Sequence, residues 1–249
     1  MTVTRITRFG FVNAYLVPGE AGLIVIDTML PRSAKAILQA AKALHAPITT
    51  IALTHAHGDH IGSLDELAAA LPDAEVVISE RDARYLDKVM TLDPGEPPDR
   101  LRGSYPGAGT TPTRTVVGGD RVGPLEVIAS PGHTPGHVSF HDPRDGTLYC
   151  GDAFTTLGGV ATAACPRPWF PLVGLATWHR PSALDSAHAL RALDPSRLAA
   201  GHGKVVEHPG PAMDAALGRS ALEAAAPPDH AAAIAAGRAY RRRRRTCRP

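Results

Sequence analysis

Apolar and polar residues alternate through the first thirty positions, in TVTRITRF (2–9), VNAYLVPG (12–19) and GLIVIDT (22–28), with breaks at Gly10 and Pro18-Gly19. A period of two punctuated by glycine and proline predicts three strands. The spacing then becomes helical in PRSAKAILQAAKALHA (31–46), which ends before Pro47. ITTIALTH (48–55) reads as a strand, IGSLDELAAALP (61–72) as a helix, AEVVIS (74–79) as a strand and ERDARYLDKVM (80–90) as a helix. From Thr91 to Thr113 proline and glycine dominate, which predicts a long surface loop or lid. Four short strands follow in TRTVVGG, LEVIASPGH, HVSFHD and TLYCGD, with an Asp145-Gly146 turn before the last. Residues 155–180 read as irregular. PSALDSAHALRAL (181–193) is then a helix, RLAAGHG (197–203) a strand, and PGPAMDAALGRSALEAA (209–225) a final helix. Strand–helix alternation followed by a run of strands fits one α/β domain with two groups of strands.

Composition narrows the class without deciding it. A chain of 249 residues, 44% hydrophobic and 20% charged, can bury a sizeable core. No apolar run reaches the roughly 18 residues of a membrane span, and the N-terminus alternates where a signal peptide would be continuously apolar. The expectation is a cytoplasmic protein with no membrane span. Three cysteines (Cys150, Cys165, Cys247) without repeated spacing argue against a disulfide framework. Residues 238–249 hold seven arginines and no acid, leaving 19 basic against 24 acidic residues, a balance of −5, in the remainder. Such a body is a poor nucleic-acid platform, and the tail reads as a self-repelling, disordered terminus, although its charge leaves nucleic acid open as a partner.

The chemistry sits where strands end. ITTIALTH runs into His55, His57, Asp59 and His60; LEVIASPGH delivers His133; TLYCGD delivers Asp152; RLAAGH delivers His202. Three histidines and an aspartate within six residues have no use in a core, where each polar group needs a partner. Seven imidazole and carboxylate groups exceed the needs of one ion and suit two divalent ions with a shared carboxylate. The absence of thiolate favours zinc, with iron or manganese open. Such a pair holds a hydroxide and clamps a reacting centre, which is hydrolase chemistry.

THAHGDH, SPGHTPGH, CGD and GHG, in this order, resemble the metallo-β-lactamase-fold hydrolase superfamily over about residues 1–225. The resemblance implies a four-layer αββα sandwich with the metals at one edge. It implies His55, His57 and His133 at the first metal, Asp59, His60 and His202 at the second, and Asp152 between them. Asp59 would orient the nucleophile and serve as the catalytic carboxylate. Residues 1–226 are expected to form this domain, and residues 227–249 a C-terminal helix and the Arg-rich tail.

Departures from named branches sharpen the expectation. Common zinc β-lactamases carry cysteine where Asp152 stands, and Cys150 lies two residues too early. Flavo-diiron proteins carry glutamate at the position of His57. Glyoxalase-II-like thioesterases share the seven ligands but add a glutathione-holding helical domain that the residues after His208 are too few to form. A compact hydrolase of a small ester, thioester or lactone is expected. The alternatives are a phosphodiesterase or nuclease of the same fold, or a persulfide-dioxygenase-like oxygenase with one iron. Residues 91–113 and 155–180 should wall the pocket, with Trp169, Phe170 and Trp178 either as an apolar surface or as pins for the loop. Neither substrate nor oligomeric state is legible.

Overall fold

The computed structural model describes residues 3–165 and 170–225. The first hairpin, β1 (Thr4–Arg8) and β2 (Val12–Pro18), turns at Phe9-Gly10, both at positive φ, and β3 (Leu23–Ile26) extends it antiparallel. Helix α1 (Ala34–Ala43) crosses over, so β4 (Ile48–Ala52) lies parallel to β3. A short α2 (Gly58–Ile61) and α3 (Leu64–Ala70) lead to β5 (Glu75–Ser79), and α4 (Glu80–Leu86) precedes β6 (Arg114–Val116), both strands again parallel to their neighbours. These six strands form one sheet in sequence order.

The second sheet begins with β7 (Arg121–Val122), β8 (Leu125–Ala129), β9 (Val138–Asp142) and β10 (Thr147–Gly151), all antiparallel. A small separate hairpin of β11 (Phe154–Thr155) and β12 (Ala161–Thr162) follows, then α5 (Leu172–Ala176) and α6 (Arg180–Ala192). Strand β13 (Arg197–Ala200) returns parallel to β10, β14 (Val206–Glu207) caps the edge, and α7 (Gly210–Ala225) closes the outer layer.

The alternation read from the sequence sorts side chains into layers. On β2 and β3, Leu16, Leu23 and Val25 face α1 and α3, whereas Tyr15, Val17, Ile24 and Ile26 face the second sheet. There they meet Val127, Val138, Phe140 and Tyr149, all buried. On the far side of that sheet Leu148, Cys150, Leu198 and Ala200 pack against Ala187 and Leu190 of α6 and Met213 and Leu217 of α7. Each fully buried Val, Leu, Ile or Phe contributes roughly 1.5–3 kcal/mol of transfer free energy. This is the αββα sandwich. Cys150 belongs to its outer core, on the helix side, and not to the edge where the histidines gather.

Three local differences from the sequence reading have physical causes. The helix expected over 61–72 breaks at Gly62-Ser63, because Ser63 Oγ donates to the Leu30 carbonyl at 2.8 Å and accepts from Ser33 N–H at 2.7 Å. A Cβ at Gly62 would lie 2.6 Å from Pro31, so the chain passes too close for any other residue. The two-residue strands β7, β11, β12 and β14 are too short to show alternation, and α5 interrupts the stretch read as irregular. No described helix is long and apolar enough to cross a membrane.

Candidate metal centre

Parallel strand pairs with shared C-terminal ends build the site. In the first sheet β3 and β4 end together, placing Asp27 beside the segment that carries His55. In the second, β10 and β13 end together with Gly151 paired to Ala200, which sets Asp152 beside His202. Gly151 has φ +47 and a Cβ there would lie 2.7 Å from His137 Nε2; one at Gly201 would lie 2.5 Å from His60 and 2.6 Å from Asp152. Glycine at these turns is the condition for the two carriers to converge. Strand β2 ties the edge shut, with Asn13 N–H donating to the Gly201 carbonyl at 2.9 Å and Tyr15 O–H to the Ala200 carbonyl at 2.6 Å.

All seven residues singled out in the sequence meet here. Ligand atoms of His55, His57 and His133 lie within 4.8 Å of one another, as do those of Asp59, His60 and His202, and those of His55, His60 and Asp152. Asp152 stands between the groups: Oδ1 is 3.4 Å from His60 Nε2, and Oδ2 is 3.4 Å from both His133 Nε2 and His202 Nε2. Six of the seven are buried; Asp59, its side chain 35% exposed, is the one that reaches solvent.

The surrounding hydrogen bonds decide which ring nitrogen each histidine turns inward. Thr54 Oγ1 donates to Asp27 Oδ2 at 2.8 Å, so at 3.0 Å from His55 Nδ1 it accepts, and the lone pair lies on His55 Nε2. His57 Nε2 is 2.9 Å from the Arg102 carbonyl, an N–H contact that leaves the lone pair on Nδ1. Thr177 Oγ1 donates to backbone carbonyls and therefore accepts from His133 Nδ1 at 3.1 Å, leaving His133 Nε2 bare. His57 Nδ1 and His133 Nε2 then face each other at 3.0 Å. Two lone pairs so placed repel unless a cation lies against both. His55 Nε2, His60 Nε2 and Asp152 Oδ1 are buried without hydrogen-bond partners. The donor set fits divalent metal ions held by imidazole and carboxylate.

Charge divides the histidines. Burial, with the neighbouring imidazoles, pushes His55 and His133 well below the usual histidine range, and burial lowers His57 to about 4. These three are neutral at pH 7. Burial also opposes a proton on His202 and His60, but Asp152, with Asp59 for His202 and Asp27 for His60, outweighs it; His202 rises to about 9 and His60 well above its usual value. Burial would raise Asp59 and Asp152, yet His202 and His60 hold both below the ordinary carboxylate range. Both histidines must lose a proton before they can ligate. Metal uptake at pH 7 is therefore expected to release about two protons, and affinity to climb as pH rises through about 9, where His202 gives up its proton. Calorimetry in buffers of different ionisation enthalpy measures this, and a proton count near zero would contradict it. The sign for the metal-free protein is opposite: the raised pKa of His202 stabilises the fold fully below about 6.5, and that contribution is lost as pH rises through about 9, with His60 acting in the same direction.

Several contributors escaped the sequence reading. Asp27, after IVI at the end of β3, obeys the same strand-end rule that found the others; it holds His60 Nδ1 at 2.7 Å and Thr54 N at 2.8 Å. His137 did not escape: it lies close to His133 in the chain and is expected in a supporting or structural role, and it accepts from Asp152 N–H at 3.1 Å while its Nδ1 lies 2.8 Å from Ser130 Oγ, so it braces the central carboxylate. The Arg102 carbonyl and Thr177 hydroxyl have no sequence signal.

The segment expected as a surface loop or lid is a strap. Arg81 holds Glu96 at 2.7 Å, Arg84 holds Asp93 at 2.9 Å, and Asp65 accepts from Gly109 and Thr110 N–H at 3.0 and 2.8 Å. Between these anchors Ser104 accepts from Gly58 N–H at 2.9 Å, and Gly103, at φ +90, passes so close to His57 that a Cβ would strike the imidazole. Trp178 is a pin: its Nε1 donates to the Asp99 carbonyl at 2.9 Å. Phe170 lies 5.1 Å from the His202 ring and 5.7 Å from Phe11, forming an apolar side of the site. Trp169 and residues 227–249, including the Arg-rich tail, lie outside the described residues.

Two facing mixed sheets, helices outside, and a histidine–aspartate cluster at the strand ends define a class of metal-binding proteins. A family model for the metallo-β-lactamase superfamily matches residues 7–202, and the chain belongs to that superfamily. It is 44% identical over 220 residues to the uncharacterized protein YobT of Bacillus subtilis (strain 168), covering 87% of this chain and 94% of the relative. It is 29% identical over 136 residues to a hydroxyacylglutathione hydrolase of Legionella pneumophila (strain Corby), covering 54% of this chain and 44% of that protein. Among solved structures, TTHA1623 in a di-iron-bound form superposes with a TM-score of 0.62 at 25% identity, covering 84% of this chain and 96% of that one.

Proposed function

We propose that this protein is a hydrolase with a dinuclear metal centre that cleaves a small ester, thioester or lactone. The observation that carries this is the set of inward lone pairs on His55 Nε2, His57 Nδ1 and His133 Nε2, facing a second group of Asp59, His60 and His202 across the Asp152 carboxylate. His55, His57 and His133 would hold one ion, Asp59, His60 and His202 the other, and Asp152 both. Zinc suits the donors, and the di-iron form of TTHA1623 supports iron as the other choice. Divalent ions so bound supply Lewis acidity and a water of lowered pKa. Asp59, half-exposed and held as a carboxylate, accepts a hydrogen bond from the attacking water and orients it. Phe11 and Phe170 exclude water from the His202 side and offer an apolar surface to an acyl group. The hydroxyacylglutathione hydrolase relative supports a thioester, although the alignment takes in less than half of that protein.

The test is metal content by mass spectrometry on protein purified without added metal, with a thioester and a lactone assayed on the same sample. About two equivalents are expected. Hydrolysis in His57→Ala should fall by more than the 10–100-fold typical of an outer partner, that is, beyond about 100-fold. One equivalent of iron with no hydrolysis would overturn the proposal.

A further inference from the structure

Asp82 has no place in the chemistry so far, yet it is fully buried and its carboxylate gathers three donors from two different loops. Oδ2 accepts from Ala56 N–H at 3.1 Å and from Thr134 Oγ1 at 2.7 Å, and Oδ1 accepts from Gly136 N–H at 2.8 Å. Ala56 lies between His55 and His57; Thr134 follows His133 directly. One carboxylate at the start of α4 thus joins the backbones that carry all three histidines of the first group. Asp59 and His60 follow on the same loop, but none of the three donors that Asp82 holds belongs to a residue of the second group. Its own N–H is fixed by Ser79 Oγ at 3.1 Å, and Gly136 approaches so closely that a Cβ would lie 2.6 Å from Asp82 Oδ1. Three donors demand a group that only accepts, which a carboxylate is and an amide is not. Burial carries a cost, lifting its pKa to about 6 against the three hydrogen bonds.

We propose that Asp82 is a positioning residue for the first metal, fixing the separation between the His55–His57 loop and the His133 loop. This rests on the dinuclear reading above. In Asp82→Asn the amide nitrogen must face a donor: with its oxygen kept on Gly136 N–H it can donate to Thr134 Oγ1, and Ala56 N–H is left without an acceptor. The loop carrying His55 and His57 is then free to drift from His133, while Asp59, His60 and His202 keep their contacts.

Zinc binding to the full chain, measured by competition with a chromophoric chelator, tests this in two backgrounds. In His60→Ala, which leaves the first position, adding Asp82→Asn should weaken binding about 10–100-fold. In His57→Ala, which leaves the second, the same change should alter affinity less than about twofold, within the scatter expected of independent sites. Thr134→Val, which removes one of the three hydrogen bonds, should reproduce a smaller loss in the first background only, and serves if Asp82→Asn does not fold. Equal weakening in both backgrounds, or none in either, would overturn the role of Asp82. If the unaltered chain binds only one equivalent, the dinuclear reading fails instead.

Discussion

Asp152→Ala is expected to lower bound metal from about two equivalents to less than one, not to remove a single ion. Its two oxygens reach His60, His133 and His202, so one truncation takes an anionic donor from both groups. A second effect compounds the first. In the metal-free protein this carboxylate is what sustains the protons on His60 and His202 against burial. Without it His202 should titrate well below about 9, which histidine proton resonances can follow directly. Loss of fold stability is limited, because at pH 7 the two imidazoles shed protons in place of remaining buried cations. Hydrolysis should fall by more than about 100-fold, past the range of an outer partner. Retention of one tightly held equivalent would show that Asp152 serves a single position.

Asp27→Asn should act on the second position alone, through a tautomer. Asp27 Oδ2 accepts from His60 Nδ1–H at 2.7 Å, which keeps the lone pair on Nε2. The amide can still accept from Thr54 N–H through Oδ1, but an NH2 group replaces Oδ2 and cannot accept from His60. The imidazole then carries its proton on Nε2, the nitrogen that faces Asp152 and would face the metal. A 10–100-fold loss of metal affinity at this position is expected with little change in melting temperature. Asp27→Ala is the harsher variant, orphaning three buried donors, and should cost at least about 3 kcal/mol, or roughly 6–12 °C in melting temperature. Calorimetry and zinc competition on the same two variants separate these effects.

The cluster of seven candidate ligands was legible because metal chemistry would compress it into THAHGDH and repeat one rule, a polar group past the end of an apolar strand, at His133, Asp152 and His202. The sheets were legible for the same reason that they are stable: Leu16 and Val17, or Val76 and Val77, go to opposite faces and fill different cores. Apart from His137, the residues that support the cluster were not legible. Asp27 sat in plain view at a strand end but lacked a neighbouring histidine to draw attention to it. Asp82 lies within an amphipathic helix, where a carboxylate normally marks the wet face. The Arg102 carbonyl belongs to the backbone, which no composition or spacing reports. Residues 91–113 read as a surface loop or lid because proline and glycine break regular structure, and the anchors that make the loop a strap come from Asp65, Arg81, Arg84 and His57, each on another segment.

That strap has an evolutionary corollary. In most enzymes the loop that shapes the pocket can be lengthened, shortened or exchanged while the catalytic apparatus stays as it was. Here the backbone of the 91–113 strap sets the protonated face of His57 through Arg102. A chimaera that imports a relative's 91–113 segment is therefore expected to need a carbonyl at the same height to keep the His57 Nδ1 lone pair turned toward His133.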